Sequence, residues 1–222
     1  MSAALGNQGR KITRLVGTRN ALDRLGTISA KAECLDPAAI DALLPRDAVH
    51  QGLALLADPL PPVQIEDVIG AGIKRVAVLD QISDPHNLGA IFRSAAAFGF
   101  GAIILQTRNA PAITGVVAKA AVGAIETVKE CRVVNIARAL DRLNEAGFHT
   151  VGLAGQGAAM IGSAVQGAAR VAVVLGAEGP GLRPGVAKSC AELARIPIAP
   201  EMESLNVSNA AAIAFYESYR DA

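Results

Sequence analysis

The chain has 222 residues, enough for one large domain or for a large and a small one. Its 21 basic and 20 acidic residues give a formal net charge of +1, so no basic tail indicates nucleic acid, and any RNA contact must come from local clusters. Three widely spaced cysteines without metal-site spacing, and no apolar run of about 18 residues, predict a cytoplasmic protein with buried free thiols, no bound metal and no membrane partner.

The first segment, residues 1–58, is predicted to form a small domain. Its early part carries five basic residues close together: Arg10, Lys11, Arg14, Arg19 and Arg24. A solvated face and a nucleic-acid contact are equally good interpretations of such a cluster. Prolines and acidic residues follow at 59–72, and this composition is typical of a linker.

Beyond the linker, residues 73–222 alternate between predicted strands and helices. Short aliphatic or β-branched runs predict strands at Arg75–Asp80, Ala102–Leu105, Thr150–Leu153, Val171–Leu175 and Arg195–Ile198. Helices are predicted at Leu88–Phe98, Ile113–Ala121, Ile136–Ala146, Val186–Glu192 and Asn206–Tyr219. The alternation indicates an α/β fold in which a parallel sheet is covered by helices on both faces.

The first polar motif, DPHNLGAIFR, follows the first of these strands. Asp84 and Pro85 can end the strand, and Asn87 can cap the next helix, on which Arg93 lies nearly two turns further along. A helix cap and a surface arginine are the ordinary structural interpretation. The alternative is a ligand contact, because binding sites in parallel sheets lie beyond the carboxyl ends of the strands.

A second motif, LGAEGPGL, begins at the end of another predicted strand. It places Gly176 and Glu178 in a glycine-rich turn. Such turns are common, but a glutamate within one offers a polar group where a ligand would bind. The loop lacks the lysine of a P-loop, and no G-x-G-x-x-G follows the first strand, so neither nucleotide hydrolysis nor a nicotinamide cofactor is favoured.

The third motif, ESLNVSNA, starts the last predicted helix. Four polar residues gather there: Ser204, Asn206, Ser208 and Asn209. One helix cap needs only one of them, so the others are surplus polar groups. A helix N-terminus also offers N–H donors to a carboxylate or a phosphate.

In their order and spacing these motifs resemble the SpoU (TrmH) class of RNA ribose 2′-O-methyltransferases, within the SPOUT superfamily. The resemblance covers residues 73–222 and implies a C-terminal trefoil knot and a homodimer through the C-terminal domain. Residues 1–58 resemble the small L30e-like RNA substrate-binding domain of the group that methylates a guanosine of 23S ribosomal RNA, here N-terminally shortened.

The resemblance also implies roles for individual residues. The implied catalytic residues are Arg93, Asn87, Glu178, Ser204 and Asn206; the S-adenosylmethionine contacts are Gly176, Ile196 and Leu205; and RNA contacts are expected from Arg10, Lys11, Arg14, Arg19 and His86. The implied reaction is methyl transfer to the ribose 2′-hydroxyl of a guanosine in the P-loop of 23S ribosomal RNA, without a metal. The alternatives are methylation of transfer RNA and a non-catalytic role in RNA binding or ribosome assembly.

Overall fold

The chain forms two units, Met1–Leu60 and Pro61–Ala222, in a computed structural model that describes residues 1–26, 31–46 and 48–220. The described elements of the first unit are α1 (Ser2–Gly6), β1 (Ile12–Gly17), α2 (Arg19–Leu25), β2 (Ala32–Cys34), α3 (Pro37–Asp41) and β3 (Leu53–Ala57). Its sheet has the order β2-β1-β3, in which β1 runs parallel to β2 and antiparallel to β3.

The second unit is an α/β structure with a larger sheet. Its described elements are α4 (Ile65–Gly70), β4 (Arg75–Leu79), α5 (Pro85–Ala97), β5 (Ala102–Gln106), α6 (Gly115–Ala121), a 3₁₀ helix (Ala124–Glu126), β6 (Lys129–Val133), α7 (Ile136–Glu145), β7 (His149–Leu153), β8 (Ala159–Met160), α8 (Ile161–Val165), β9 (Val171–Leu175), α9 (Pro184–Ser189), β10 (Glu192–Arg195) and α10 (Val207–Tyr219). The described strands pair in the order β6-β5-β4-β9-β7-β10-β8, and all these pairs are parallel.

Both faces of this sheet are buried, which explains why its central strands are continuous apolar runs. Val76 and Val78 of β4 pack in the core beneath α4, α7 and α9. Ala77 and Leu79 of the same strand pack on the opposite side, against α5, α6, α8 and α10. The predicted parallel α/β fold with helices on both faces is therefore confirmed.

Residues 59–72, which the sequence predicts to be a linker, contain helix α4 in the structure. Gln64 and Asp67 form a capping box at the start of this helix, with the Gln64 backbone nitrogen donating to the Asp67 carboxylate at 3.0 Å. Val68 is fully buried in the core. The prolines and acids that suggested a linker are thus the entry to a packed helix, and the two units divide between Leu60 and Pro61.

Strands near the sheet edges were predicted less well than central ones. Strand β6 was missed because three of the five residues in its sequence, KECRV, are charged, although Cys131 is fully buried. Strand β10 begins at Glu192, which the sequence had assigned to a helix, and it ends at Arg195. Both strands carry charged side chains, so neither gives the uninterrupted apolar run of a central strand.

The connection from β7 to β8, residues 154–158, crosses the carboxyl end of β10. It must do so because β10 pairs with β7 on one side and with β8 on the other. The crossing is made at Gly157, where a Cβ would lie 2.5 Å from the carbonyl carbon of Ala194. Arg195 then donates hydrogen bonds to the carbonyl oxygens of Gly157 and Ala158. The loop is therefore closed tightly over the strand.

Substituting Gly157 by Ala should lower the free energy of unfolding by about 1–3 kcal/mol, because the new methyl group collides with backbone rather than with a movable side chain. The matched control is Gly155→Ala in the same loop, where a Cβ meets nothing within 4 Å. Urea unfolding followed by circular dichroism would measure both variants. Equal stabilities would contradict the close crossing.

Candidate active site

The turn after β4 leaves the side chain of Asn87 available at the carboxyl edge of the sheet. Asp84 caps α5, since its carboxylate accepts hydrogen bonds from the backbone nitrogens of His86 (3.0 Å) and Asn87 (3.3 Å). Pro85 follows in the first turn, where a missing N–H is harmless. The predicted capping role of Asn87 is therefore wrong, and its amide is directed to other partners.

The glycine-rich loop 176–182 is closed by two backbone hydrogen bonds between Ala177 and Gly181, of 3.2 and 3.0 Å. Gly179 and Gly181 have φ angles of 82° and 70°, in the left-handed region that favours glycine. A Cβ at Gly176 would lie 2.2 Å from the carbonyl carbon of Gly181. The three glycines thus allow a tight loop whose tip carries Glu178.

All three polar motifs meet at Glu178. Its Oε1 atom accepts hydrogen bonds from Asn206 Nδ2 (2.8 Å), Asn87 Nδ2 (3.2 Å) and the backbone nitrogen of Val207 (3.3 Å). Asn206 Nδ2 also donates to Asn87 Oδ1 at 3.0 Å. We call Asn87, Glu178 and Asn206 the three-motif cluster. It joins segments that are 91 and 28 residues apart in sequence.

The orientation of Asn206 in this cluster follows from its capping of α10. Its Oδ1 atom accepts from the backbone nitrogens of Ser208 (2.9 Å) and Asn209 (3.4 Å) and from Ser208 Oγ (2.6 Å). With the oxygen occupied, the amide nitrogen must face Glu178. The surplus serine at position 208 therefore has a structural use, whereas Ser204 is exposed and makes no hydrogen bond to the described residues.

A buried ion pair that sequence reasoning missed lies at the base of the 176–182 loop. Asp80 is fully buried, and its Oδ1 atom accepts a hydrogen bond from Arg183 Nε at 2.8 Å and lies 2.6 Å from Arg183 Nη2 in an ion pair. Its Oδ2 atom accepts from the backbone nitrogen of Arg183 at 3.0 Å. A carboxylate directly after a buried strand was the available signal, because a buried charge requires partners.

Arg93 and His86 are both exposed, and Arg93 has no hydrogen-bond or ion-pair partner among the described residues. Arg93 follows Asn87 by six residues on α5. That separation corresponds to about 9 Å along the axis and about 120° around it. The structure accordingly does not bring Arg93 into contact with the three-motif cluster of its own chain.

The residues expected to contact a cofactor follow the carboxyl ends of β9 and β10. Gly176 comes directly after β9, and Ile196 comes directly after β10 and packs against the core. Leu205 is half-buried and precedes Asn206. The hydrogen bond from Asn206 to Glu178 thus ties the segment of Leu205 to the loop of Gly176.

Three of the basic residues in the first unit have partners. Arg10 donates to the carbonyl oxygen of Asp58, and the Lys11 ammonium pairs with the Asp58 carboxylate at 3.1 Å. Arg14 binds Glu33 through two hydrogen bonds of 3.0 and 2.8 Å, which raise the pKa of Arg14 and lower that of Glu33. Arg19 is exposed and has no such partner among the described residues.

Two of the three cysteines, Cys131 and Cys190, are poor nucleophiles in this structure. Burial raises the pKa of the Cys131 and Cys190 thiols to about 12, so both are protonated at neutral pH. Cys34 is exposed, contrary to the prediction that the thiols are buried. The described residues contain no His, Cys, Asp and Glu grouping suited to a metal ion, and none of their helices is long and apolar enough to cross a membrane.

Comparison with known proteins identifies the family. The model of the SpoU rRNA methylase family matches residues 74–216. The chain belongs to this family. It is 38% identical over 222 residues to the 23S rRNA (guanosine-2′-O-)-methyltransferase RlmB of Vibrio cholerae, covering 96% of this chain and 86% of that protein. The predicted family is confirmed, and with it the expectation of an enzyme of the RNA methyltransferase class.

Other relatives match part of their length or share the fold. The chain is 39% identical over 180 residues to an uncharacterised tRNA/rRNA methyltransferase of Synechocystis, of which it spans 46%. An AdoMet-bound rRNA methyltransferase from Sinorhizobium meliloti superposes with a TM-score of 0.83 at 22% identity, over 100% of this chain and 85% of that one. The SpoU methyltransferase AviRb of Streptomyces viridochromogenes, in complex with AdoMet, gives 0.81 at 21% identity, over 99% and 86%. At such identities these structures establish the common fold.

Substituting Asn206 by Asp should destabilise the chain at alkaline pH, because a second carboxylate would replace the amide nitrogen 2.8 Å from Glu178 Oε1. Aspartate is as good a helix cap as asparagine, so the cluster alone is altered. We expect a loss of about 1–3 kcal/mol at pH 8.

This loss should shrink as the pH falls towards about 5. Of two adjacent carboxyls, one keeps its proton to higher pH in the folded than in the unfolded chain, so the folded state binds more protons and stability falls as pH rises. The control is Asn209→Asp, an exposed position in the first turn of α10 where a negative charge is favourable. Urea unfolding at several pH values would check both; pH-independent behaviour of Asn206→Asp would contradict the cluster.

Proposed function

We propose that the chain transfers a methyl group from S-adenosylmethionine to a ribose 2′-hydroxyl, and that its substrate is a guanosine in the P-loop of 23S ribosomal RNA. The observation that carries this proposal is the three-motif cluster, which gathers three of the five residues expected to be catalytic at one edge of the sheet. The Vibrio cholerae relative, named as a 23S rRNA guanosine 2′-O-methyltransferase, supports the choice of substrate.

Gly176, Ile196 and Leu205 fit a role in holding the cofactor. The absence of a side chain at Gly176 lets the Gly181 backbone pack against it, so the loop turns sharply at the carboxyl end of β9. Ile196 and Leu205 add half-buried apolar surface of the kind that lines cofactor sites. The Sinorhizobium meliloti protein of the same fold binds AdoMet, which supports the choice of cofactor. When bound, S-adenosylmethionine supplies a methyl group activated by its sulfonium centre.

The chain's own residues must bind and orient a ribose hydroxyl, which is a weak nucleophile at neutral pH. Ser204, whose hydroxyl is exposed, offers a hydrogen-bonding group for the ribose, and Glu178 holds Asn87 and Asn206 in place. A guanidinium is protonated at neutral pH, so Arg93 is suited to bind the adjacent phosphate and to stabilise negative charge on the oxygen.

We infer that Arg93 acts on the three-motif cluster of a second subunit. Its position about 120° around α5 from Asn87 argues against a role in its own cluster. Helix α10 exposes Ile213, Tyr216 and Tyr219 with 37%, 47% and 48% of their surface accessible, as expected for a homodimer interface. Phe215 of the same helix is buried against Phe100 and belongs to the core.

The first unit is proposed to be an L30e-like domain that binds the RNA substrate. Arg19 offers an exposed cation. The ion pairs of Lys11 and Arg14 are also exposed, and water screens such pairs strongly, so phosphate groups can replace their carboxylate partners. In the second unit, His86 is a further proposed RNA contact, since it is exposed beside Asn87.

The C-terminal trefoil knot is part of the same proposal. The proposal is supported by loop 154–158, which closes over the end of β10. The chain continues from this point, at Arg195, towards α10. If residues 196–206 pass through this loop, the loop holds them in a fixed path. That path leads to Leu205 and Asn206.

The proposed activity can be tested with purified chain, S-adenosylmethionine carrying a labelled methyl group, and unmodified RNA. We expect label at a guanosine 2′-oxygen of 23S ribosomal RNA. Label in transfer RNA alone would favour the tRNA alternative. Binding of RNA without any transfer would favour a role in RNA binding or ribosome assembly.

Arg93→Ala should reduce kcat/KM for RNA by about 100-fold or more, while the Kd for S-adenosylmethionine changes by less than about twofold. The physical reason is that its proposed partners are RNA and the reacting oxygen. Arg138→Ala, at an exposed position on α7, is the matched control and should retain activity. Near-normal turnover in Arg93→Ala would refute the role.

Mixing Arg93→Ala subunits with Asn206→Ala subunits should restore activity, because one of the two composite sites in each heterodimer would be intact. The measurement is methyl transfer by heterodimers purified through two different affinity tags. Inactive heterodimers would assign each site to a single chain, and an active monomer would refute the homodimer.

A further inference from the structure

Asp80 contacts the residues at both ends of the 176–182 loop. Its backbone nitrogen donates to the carbonyl oxygen of Leu175, the last residue before the loop, at 2.8 Å. Its carboxylate accepts from the backbone nitrogen and the side chain of Arg183, the first residue after the loop. A single residue, directly after β4, therefore fastens the start and the end of this loop.

Both oxygens of the buried Asp80 carboxylate accept hydrogen bonds. Asp80 is fully buried, and burial of a carboxylate is unfavourable unless both oxygens are satisfied. Arg183 satisfies both, and its Nη2 atom also donates to Gln106 Oε1 at 3.2 Å. The carboxyl ends of β4, β5 and β9 are thereby joined beneath the loop.

The loop needs such an external constraint. Glycines at 176, 179 and 181 give its backbone unusual conformational freedom, and it has only one pair of backbone hydrogen bonds of its own. Its tip must nevertheless hold Glu178 within 3.2 Å of both asparagines of the three-motif cluster.

We propose that Asp80 and Arg183 are positioning residues for methyl transfer. They hold the backbone at Gly176 for S-adenosylmethionine and keep Glu178 aligned with Asn87 and Asn206. Neither residue contacts the three-motif cluster directly, so they act through the loop. This proposal rests on the proposed function for its consequence in catalysis, but the constraint on the loop can be measured without any ligand.

The first experiment is hydrogen exchange on the full-length Asp80→Asn variant. The amides of Ala177 and Gly181 should exchange about tenfold faster than in the wild type, because the loop ends are released, while central amides of β5 keep their protection. The control is Glu66→Gln, which removes an exposed ion pair to Arg142 on other elements and should leave the loop unchanged.

The second experiment measures S-adenosylmethionine binding and turnover. Asp80→Asn should raise the Kd by about tenfold and lower kcat, while the KM for RNA stays within about twofold. Should Asp80→Asn not fold, Arg183→Lys provides the test, because it keeps the positive charge and loses the forked contact. Its loop exchange and Kd should lie between those of the wild type and those expected for Asp80→Asn.

Wild-type loop exchange in a folded Asp80→Asn or Arg183→Lys variant would overturn the fastening role. Faster exchange with a Kd within about twofold of wild type would overturn the link to the cofactor. A wild-type chain that binds no S-adenosylmethionine would instead refute the proposed function, while the exchange measurement would still decide whether Asp80 holds the loop.

Discussion

The parallel alignment of the strands determines where every functional group of the second unit lies. In a parallel sheet all carboxyl ends meet at one edge, so the segments after β4, β9 and β10 are neighbours although they are far apart in sequence. This alignment is stable because both faces of the sheet are covered by helices. Asn87, Glu178 and Asn206 can therefore form one hydrogen-bonded cluster.

The cluster is held mainly by the groups around it. Each of its hydrogen bonds is near the surface and contributes only about 0.5–1.5 kcal/mol. The Asp84 and Asn206 caps each add about 1 kcal/mol to the helices that carry it. Breaking the pair of Asp80 and Arg183 would cost more than any one of these hydrogen bonds, since it leaves the fully buried Asp80 carboxylate without the partly exposed arginine that neutralises it. The pair of Asp80 and Arg183 therefore contributes most to holding the loop that carries Glu178.

The parts of the fold that the sequence predicts are those with a local signal. Val171–Leu175 was predicted with its observed bounds because five apolar residues between turns can be read without knowing their neighbours. Strand β6 could not be recognised, because Lys129, Glu130 and Arg132 interrupt its apolar pattern. Its place in the sheet comes from pairing with β5, which no local pattern encodes.

Predictions about the site had the same limit. Asp84 and Asn87 are both good helix caps. Propensity alone could not decide which residue would cap α5 and which would keep its side chain for the candidate site. Asp80 and Arg183 are 103 residues apart, so their pairing follows from the tertiary fold only. The meeting of the three motifs was expected from the family resemblance, since their residue types alone are also compatible with ordinary caps and turns.

The central claim is that these residues serve the methylation of a ribose in 23S ribosomal RNA. The most direct measurement is mass-spectrometric mapping of 2′-O-methylated nucleotides in ribosomal and transfer RNA from cells with and without the gene for this chain. Our account predicts the loss of one guanosine 2′-O-methyl group from 23S ribosomal RNA, in its P-loop, and its return when the gene is restored. An unchanged 23S methylation map would contradict it.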